Sequence, residues 1–276
     1  MLSATLALLM QVGPNPGAGS IPTVPEELVE LRRRQQETAI EPTLTRDRLQ
    51  SCLARAEQDS VAARIEADSW LRNAVGVTRA EALQCRGYAF ANSAFWNEAA
   101  SSFIAARDDS EAVDSRYRAR LGTMAANALL TAGDNRRAIE VLETAKSDAA
   151  EAGFAALEAE IELDRARAYV ALGEPASAGA ALAAARELAP ANARAWLLSA
   201  TLARRNNDLA TAQSQIEQAS RLNPTDPEIG LEAGVIAVLA GNDDAARQSW
   251  QSIVAIAPES SQAKTAKSYL EQLDRP

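Results

Sequence analysis

Three prolines, Pro190, Pro224 and Pro258, stand 34 residues apart, and each closes a stretch rich in helix-forming residues. Proline lacks the N–H that a helix needs and its ring opposes the carbonyl of the turn before it, so each one ends a helix. A chain that stops its helices at a fixed interval builds one unit repeatedly, and units of roughly 20 to 50 residues stack on their neighbours rather than share a single core.

Carrying that period along the chain gives units that begin at Ala80, Ala119, Ala159, Ala193 and Pro227. Two antiparallel helices joined by a tight turn need small residues where their backbones approach most closely. The eighth position of each unit reads Gly87, Ala126, Ala166, Ala200 and Gly234, and the twentieth reads Ala99, Ala138, Ala178, Ala212 and Ala246. The twenty-fourth, where a large apolar side chain should fill the space between helices, reads Phe103, Leu142, Leu182, Ile216 and Trp250. The intervening turns recur as AGD (132–134), LGE (172–174), NND (206–208) and AGN (240–242), with glycine or asparagine available for the left-handed residue that closes a helix.

On these residues the chain resembles the tetratricopeptide repeat family over roughly residues 80–258. Trp196 falls at the family's fourth position, Tyr169 at its eleventh, and the three prolines at its thirty-second. The resemblance implies an all-α fold, a right-handed α-solenoid of stacked helix-turn-helix units with terminal capping helices. Its five repeats span 80–113, 119–152, 159–192, 193–226 and 227–258. Repeats one and two lack the closing proline, and Gly133 and Gly173 lie 40 residues apart, six over the period. The helix after Arg137 or the one after Phe154 is therefore expected to be longer and to bend the array. Residues 44–79 read as a degenerate helix pair acting as an amino-terminal cap. Residues 259–276 read as a capping helix with Ala263, Ala266, Leu270 and Leu273 on one face.

Composition narrows the function. Apolar residues make up 47% of the chain and aromatics only 4%, so alanine and leucine carry the hydrophobic share, which favours helix. A net charge of −9 repels phosphate backbones and argues against nucleic acid. Only three of the 28 basic residues are lysine (Lys146, Lys264, Lys267), the rest being arginine; with the abundant alanine this reads as a GC-rich bacterial genome. Histidine is absent, which removes the usual general base and the usual zinc ligand together. The carboxylate pairs Asp108 with Asp109 and Asp243 with Asp244 fall at helix ends, and Asp243 and Asp244 follow a turn and open a helix, where acidic residues favour the dipole and cap free N–H groups. No enzyme, cofactor or metal site is expected.

Residues 1–20, a ten-residue apolar run followed by a segment rich in glycine and proline, read as a secretory signal peptide without a basic n-region. The run is about half the length needed to cross a bilayer. Residues 21–43 read as a linker with a short lead-in helix. A periplasmic or secreted location follows, or a cytoplasmic one if the first segment is a tail rather than a signal. Cys52 and Cys85 lie 33 residues apart on equivalent helices of neighbouring units, which permits either a disulfide or two buried thiols.

In tetratricopeptide solenoids the first helices line a concave groove where a partner protein or peptide lies. Positions two, nine and thirteen place Arg120, Arg194, Tyr88, Asn127, Arg167, Thr201, Asn92 and Arg205 there, with Glu160, Asp164 and Glu228 close by. Arginines kept on one face of an acidic chain suit a carboxylate or an acidic stretch of the partner. The lysine and asparagine clamp by which some family members hold a chaperone's carboxyl terminus has no counterpart, since the corresponding positions read Gln84, Tyr88, Asn127, Glu160 and Asp164. The expected function is a non-catalytic scaffold or adaptor. An accessory subunit of an envelope enzyme or secretion complex, or a homo-oligomer assembled through Phe95 and Trp96, are the alternatives.

Overall fold

Short polar residues set before alanine-rich stretches start most of the helices. Asp59, Asp114, Asp134, Asn192, Asp208, Asp226, Asn242 and Ser260 each accept a hydrogen bond from a backbone N–H of the first turn that follows. The computed structural model describes residue 30 and residues 47–110 and 114–274. The proposed signal peptide and almost all of the 21–43 linker lie outside the described residues.

Among the described residues every regular element of the unit from Thr45 onward is an α-helix. Helix α1 covers 47–58 and pairs with α2 (Ser60–Leu71). Five further pairs follow: α3 (Gly76–Asn92) with α4 (Trp96–Asp109), α5 (Ser115–Ala132) with α6 (Asn135–Glu151), α7 (Ala155–Ala171) with α8 (Pro175–Leu188), α9 (Ala193–Arg205) with α10 (Leu209–Leu222), and α11 (Pro227–Leu239) with α12 (Asp243–Ile256). Helix α13 (Ser261–Leu273) ends the series. From α2 on, each helix packs on the next, and α5 with α7, α9 with α11 and α11 with α13 also touch, which makes an all-α solenoid.

The small and large positions interlock. All five alanines at position twenty are fully buried, and Phe103, Leu142, Leu182, Ile216 and Trp250 are at most 4% exposed. Residue size is matched across each pair. Alanine at position eight faces an aliphatic plug in three repeats, whereas Gly87 and Gly234 face Phe103 and Trp250. A Cβ on Gly87 would lie 2.7 Å from the Phe103 ring, and one on Gly234 would run into the Trp250 indole. The Trp250 Nε1 donates to the Leu231 carbonyl at 3.2 Å, which fixes the ring in that slot.

The turns within the pairs use left-handed residues at Gly133, Gly173, Asn207 and Gly241. The first repeat does the same with Ala94 (φ 60°), a side chain that carries about 1–2 kcal/mol of strain there.

The extra residues between Gly133 and Gly173 lengthen α6, which has 17 residues against 14 in α4, α8, α10 and α12. α7, also 17, exceeds α9 and α11 (13 each) but not α3 (17) or α5 (18). Helices α3, α5 and α7 also begin four residues before Ala80, Ala119 and Ala159, whereas α9 and α11 begin at Ala193 and Pro227. Proline accounts for part of the difference: Pro190 and Pro224 hold four-residue links before α9 and α11, and no proline delays the start of α5 or α7. The added first turn of α5 brings Arg118 to the end of α6, where it pairs with Asp148 (3.1 Å) and Glu151 (2.7 Å), while Arg107 of α4 reaches Asp148 at 2.7 Å. Buried Glu162 of α7 is held by Lys146 (2.6 Å) and Arg165 (2.7 Å). Such buried pairs add little net stability but fix which helix faces which.

Cys52 of α1 and Cys85 of α3 are both fully buried and joined by a disulfide, with Cα atoms 6.0 Å apart. Around the bridge, Leu49, Ala56, Ala63, Ala67, Trp70 and Ala89 form the core of the amino-terminal cap. At the other end Ala263 and Ala266 are fully buried and Leu270 and Leu273 half-buried, so α13 closes the α11–α12 pair.

Candidate partner-binding groove

The eight polar residues expected on the first-helix face divide into three groups. Tyr88 and Asn92 hold the cap. The Tyr88 hydroxyl donates to Glu57 at 3.3 Å and the Asn92 amide donates to the Ala56 carbonyl at 2.9 Å, both at the end of α1. Burial, and then the nearby Glu57 carboxylate, push the Tyr88 hydroxyl pKa up. Farther along, Tyr117 donates to Gln84 at 2.7 Å.

Position two forms a row of alternating sign across the repeats: Glu81, Arg120, Glu160, Arg194, Glu228. Arg120 lies 5.8 Å above the Phe154 ring, which Arg116 also covers at 4.5 Å, and Glu160 accepts from Asn192 at 3.0 Å. Charges that alternate at one register neutralise each other from repeat to repeat, so this row presents no net positive field. Asn127 is exposed two turns farther along α5.

Arg167, Thr201 and Arg205 come together. They rim a cleft of about 220 Å³ between α7 and α9, floored by Val170, Leu198 and Leu202 and backed by Leu182 of α8. Arg167 also donates to Asp164 at 2.8 Å. Burial pushes the Asp164 carboxyl pKa up, outweighing the pull of Arg167 and Arg194 in the other direction. Arg205 is exposed and has neither an ion-pair nor a hydrogen-bond partner on its side chain among the described residues. A cation without a partner beside an aliphatic floor is suited to a ligand with one apolar side chain and one carboxylate.

A second cleft of about 340 Å³ lies between α11 and α13, lined by Val235, Val238, Leu239, Trp250, Tyr269 and Leu273. The Trp250 and Tyr269 rings lie 5.1 Å apart in its floor. The charge pattern of the sequence pointed to Arg167 and Arg205 but to none of these apolar residues. Their signal was valine at position twelve, Val170 and Val238, on a helix face otherwise open to solvent.

Elsewhere, Asp108 and Asp109 end α4 and pair with Arg107 and Arg79. Asp243 and Asp244 lie in the first turn of α12, but the capping side chain is that of Asn242. Phe95 is half exposed and meets Phe90 edge to face at 6.2 Å. Among the described residues no group of three or more cysteine, aspartate or glutamate side chains is placed to hold a metal ion, and no helix is long and apolar enough to cross a membrane.

Residues 163–212 and 197–261 match the sequence profile described as tetratricopeptide repeat. Residues 163–261 are tetratricopeptide repeats. The match begins at Leu163, inside the third helix pair, and the same packing pattern continues toward the amino terminus through α3 to α6. No curated protein matches the chain in sequence.

Solved tetratricopeptide-like structures do match it in fold. Pseudomonas aeruginosa pilF superposes with a TM-score of 0.61 at 14% identity, covering 82% of this chain and 98% of that one. PilW, described as a widely conserved type IV pilus biogenesis factor, gives 0.62 at 16% identity over 81% and 98%. BtubC from P. vanneervenii gives 0.57 at 18% identity over 83% and 94%. At these identities the likeness is one of fold. Tetratricopeptide repeats serve as protein-interaction scaffolds, and a protein or peptide is the class of partner that this fold takes.

Proposed function

We propose that the chain is a non-catalytic adaptor that holds a segment of a partner protein along its first-helix face. An apolar side chain of the partner enters the α7–α9 cleft and an adjacent carboxylate pairs with Arg167 and Arg205. The observation that carries this reading is Arg205, an arginine whose side chain has no ion-pair or hydrogen-bond partner among the described residues, at the rim of a 220 Å³ aliphatic cleft. Arg167 adds a second guanidinium whose present carboxylate, Asp164, is exchangeable for one from the partner.

The test is fluorescence anisotropy with a labelled synthetic peptide that places one leucine between glutamates. Arg167→Ala combined with Arg205→Ala is expected to weaken binding by at least about ten-fold, since a hydrogen bond to a charged group contributes about 1.5–3 kcal/mol. Unchanged affinity in the double variant contradicts the reading.

The proposed setting is an oxidising compartment, the periplasm or outside the cell, because a buried Cys52–Cys85 bridge persists there and is rare in the cytosol. The accessory-subunit alternative uses the same groove, and co-purification with a larger complex separates it from a free adaptor. Assembly of copies through Phe95 and Trp96 is separated by light scattering, which then shows a concentration-dependent mass without any partner.

A further inference from the structure

The α11–α13 cleft is built like the α7–α9 cleft, two repeats farther on. In each, position nine and a position-twelve valine form one wall: Arg167 with Val170, and Val235 with Val238. In each, the residue at position twenty-four, Leu182 or Trp250, also lines the cleft, and positions nine and thirteen of the next first helix line it from the opposite side. The step between them, α9 to α11, differs because position twelve is Arg204, which makes a two-pronged ion pair with Glu232 at 2.6 and 3.2 Å. One guanidinium thus occupies the place where valine leaves a cleft.

The clefts differ in charge. Arg167 and Arg205 rim the first, whereas among the described residues no ionisable group other than Tyr269 lines the second, where Leu239 is 53% exposed. An apolar side chain of that size left half exposed beside an aromatic floor gains free energy on being covered.

We infer that the partner segment is extended and bipartite, with two aliphatic side chains about six residues apart, the first next to a carboxylate. This rests on the groove reading above and adds the second anchor and the spacing. Packed helix axes lie about 8–10 Å apart, so two steps between equivalent clefts cover roughly 16–20 Å. An extended chain rises about 3.3 Å per residue, so five to six residues, roughly, span that distance. The first leucine or similar side chain enters the α7–α9 cleft, its acidic neighbour meets Arg167 and Arg205, and the second enters against Val238, Leu239 and Tyr269.

The test uses the full chain and labelled peptides that carry a glutamate-flanked leucine and a second leucine at separations from about two to about ten residues. Anisotropy is read against the single-leucine peptide. A separation near six is expected to bind about ten-fold tighter than the single-leucine peptide, the gain from burying one more leucine side chain. Leu239→Asp, a change at an exposed position, is expected to remove that gain and leave single-leucine binding within about two-fold. If the single-leucine peptide binds but no separation improves on it, or the gain survives Leu239→Asp, the second anchor is wrong and the first stands. If the single-leucine peptide does not bind at all, the groove reading fails and takes this inference with it.

Discussion

Gly234→Ala lowers the stability of the chain by about 2 kcal/mol, the cost of overpacking a filled core. The sign is what makes the experiment informative. At an ordinary interior helix position, glycine to alanine gains about 0.5–1 kcal/mol, because alanine loses less backbone entropy on folding. Here the new methyl is directed into the Trp250 indole, which is 4% exposed and tied to the Leu231 carbonyl, so the ring can yield only by giving up that hydrogen bond and shifting toward the α11–α13 cleft. Combining Gly234→Ala with Trp250→Leu recreates the alanine and leucine pair found at Ala126 with Leu142 and at Ala166 with Leu182. The double variant should be more stable than the sum of the two single effects predicts, by more than about 1 kcal/mol, as residues in direct contact couple. Urea unfolding of the four proteins checks it, and a stabilising Gly234→Ala contradicts the packing account.

Reduction of the Cys52–Cys85 bridge produces the second large effect, and it is local. A cross-link spanning 33 residues restricts the unfolded chain by about 3–4 kcal/mol in the chain-entropy account. In a stack where each repeat contacts only its neighbours, that loss falls on the end that carries the bridge. Hydrogen exchange in reductant should therefore accelerate in α1 and α2 and remain unchanged in α9 to α13. The Cys52→Ala, Cys85→Ala double variant should match the reduced protein. Uniform acceleration along the chain contradicts the nearest-neighbour picture. The same bridge bears on location: a periplasmic form two hydrogens lighter than its dithiol supports the proposed setting, and a reduced cytoplasmic form contradicts it.

The repeat frame was legible in the sequence because it rests on steric demands that few residues meet. Close helix approach admits only glycine or alanine at Gly87, Ala126 and Ala178, and the packing at position eight, twenty and twenty-four follows from that one constraint. Helix starts were less legible. The frame marks packing positions, and α3, α5 and α7 continue one turn upstream of theirs because nothing in the preceding residues makes them begin later. The longer α6 carries Asp148 and Lys146, whose pairs with Arg107, Arg118 and Glu162 join residues 16 to 41 apart and have no local signature, whereas Glu162 with Arg165, three residues on, is a local pair.

The groove was half legible for a related reason. Charged side chains on an exposed face stand out in a helical frame, so Arg167 and Arg205 were found with Thr201. Whether such a side chain faces a partner or a neighbouring helix depends on what packs beside it. Tyr88 and Asn92 turn to Glu57 and the Ala56 carbonyl because α1 lies against that part of α3. Arg120 covers Phe154 from the next repeat. The cleft floors at Leu198, Leu202 and Leu239 read as ordinary helix leucines until the gap between successive first helices is seen.

The claim that the α7–α9 cleft is the place where a partner is held is tested most directly by methyl NMR of the intact chain, titrated with the glutamate-flanked leucine peptide. The account predicts shifts at the methyl groups of Val170, Leu198 and Leu202, lost in the Arg167→Ala, Arg205→Ala variant. Shifts confined to residues away from that cleft, such as Val61 and Ile65 on α2, or shifts that persist unchanged in the double variant, contradict it.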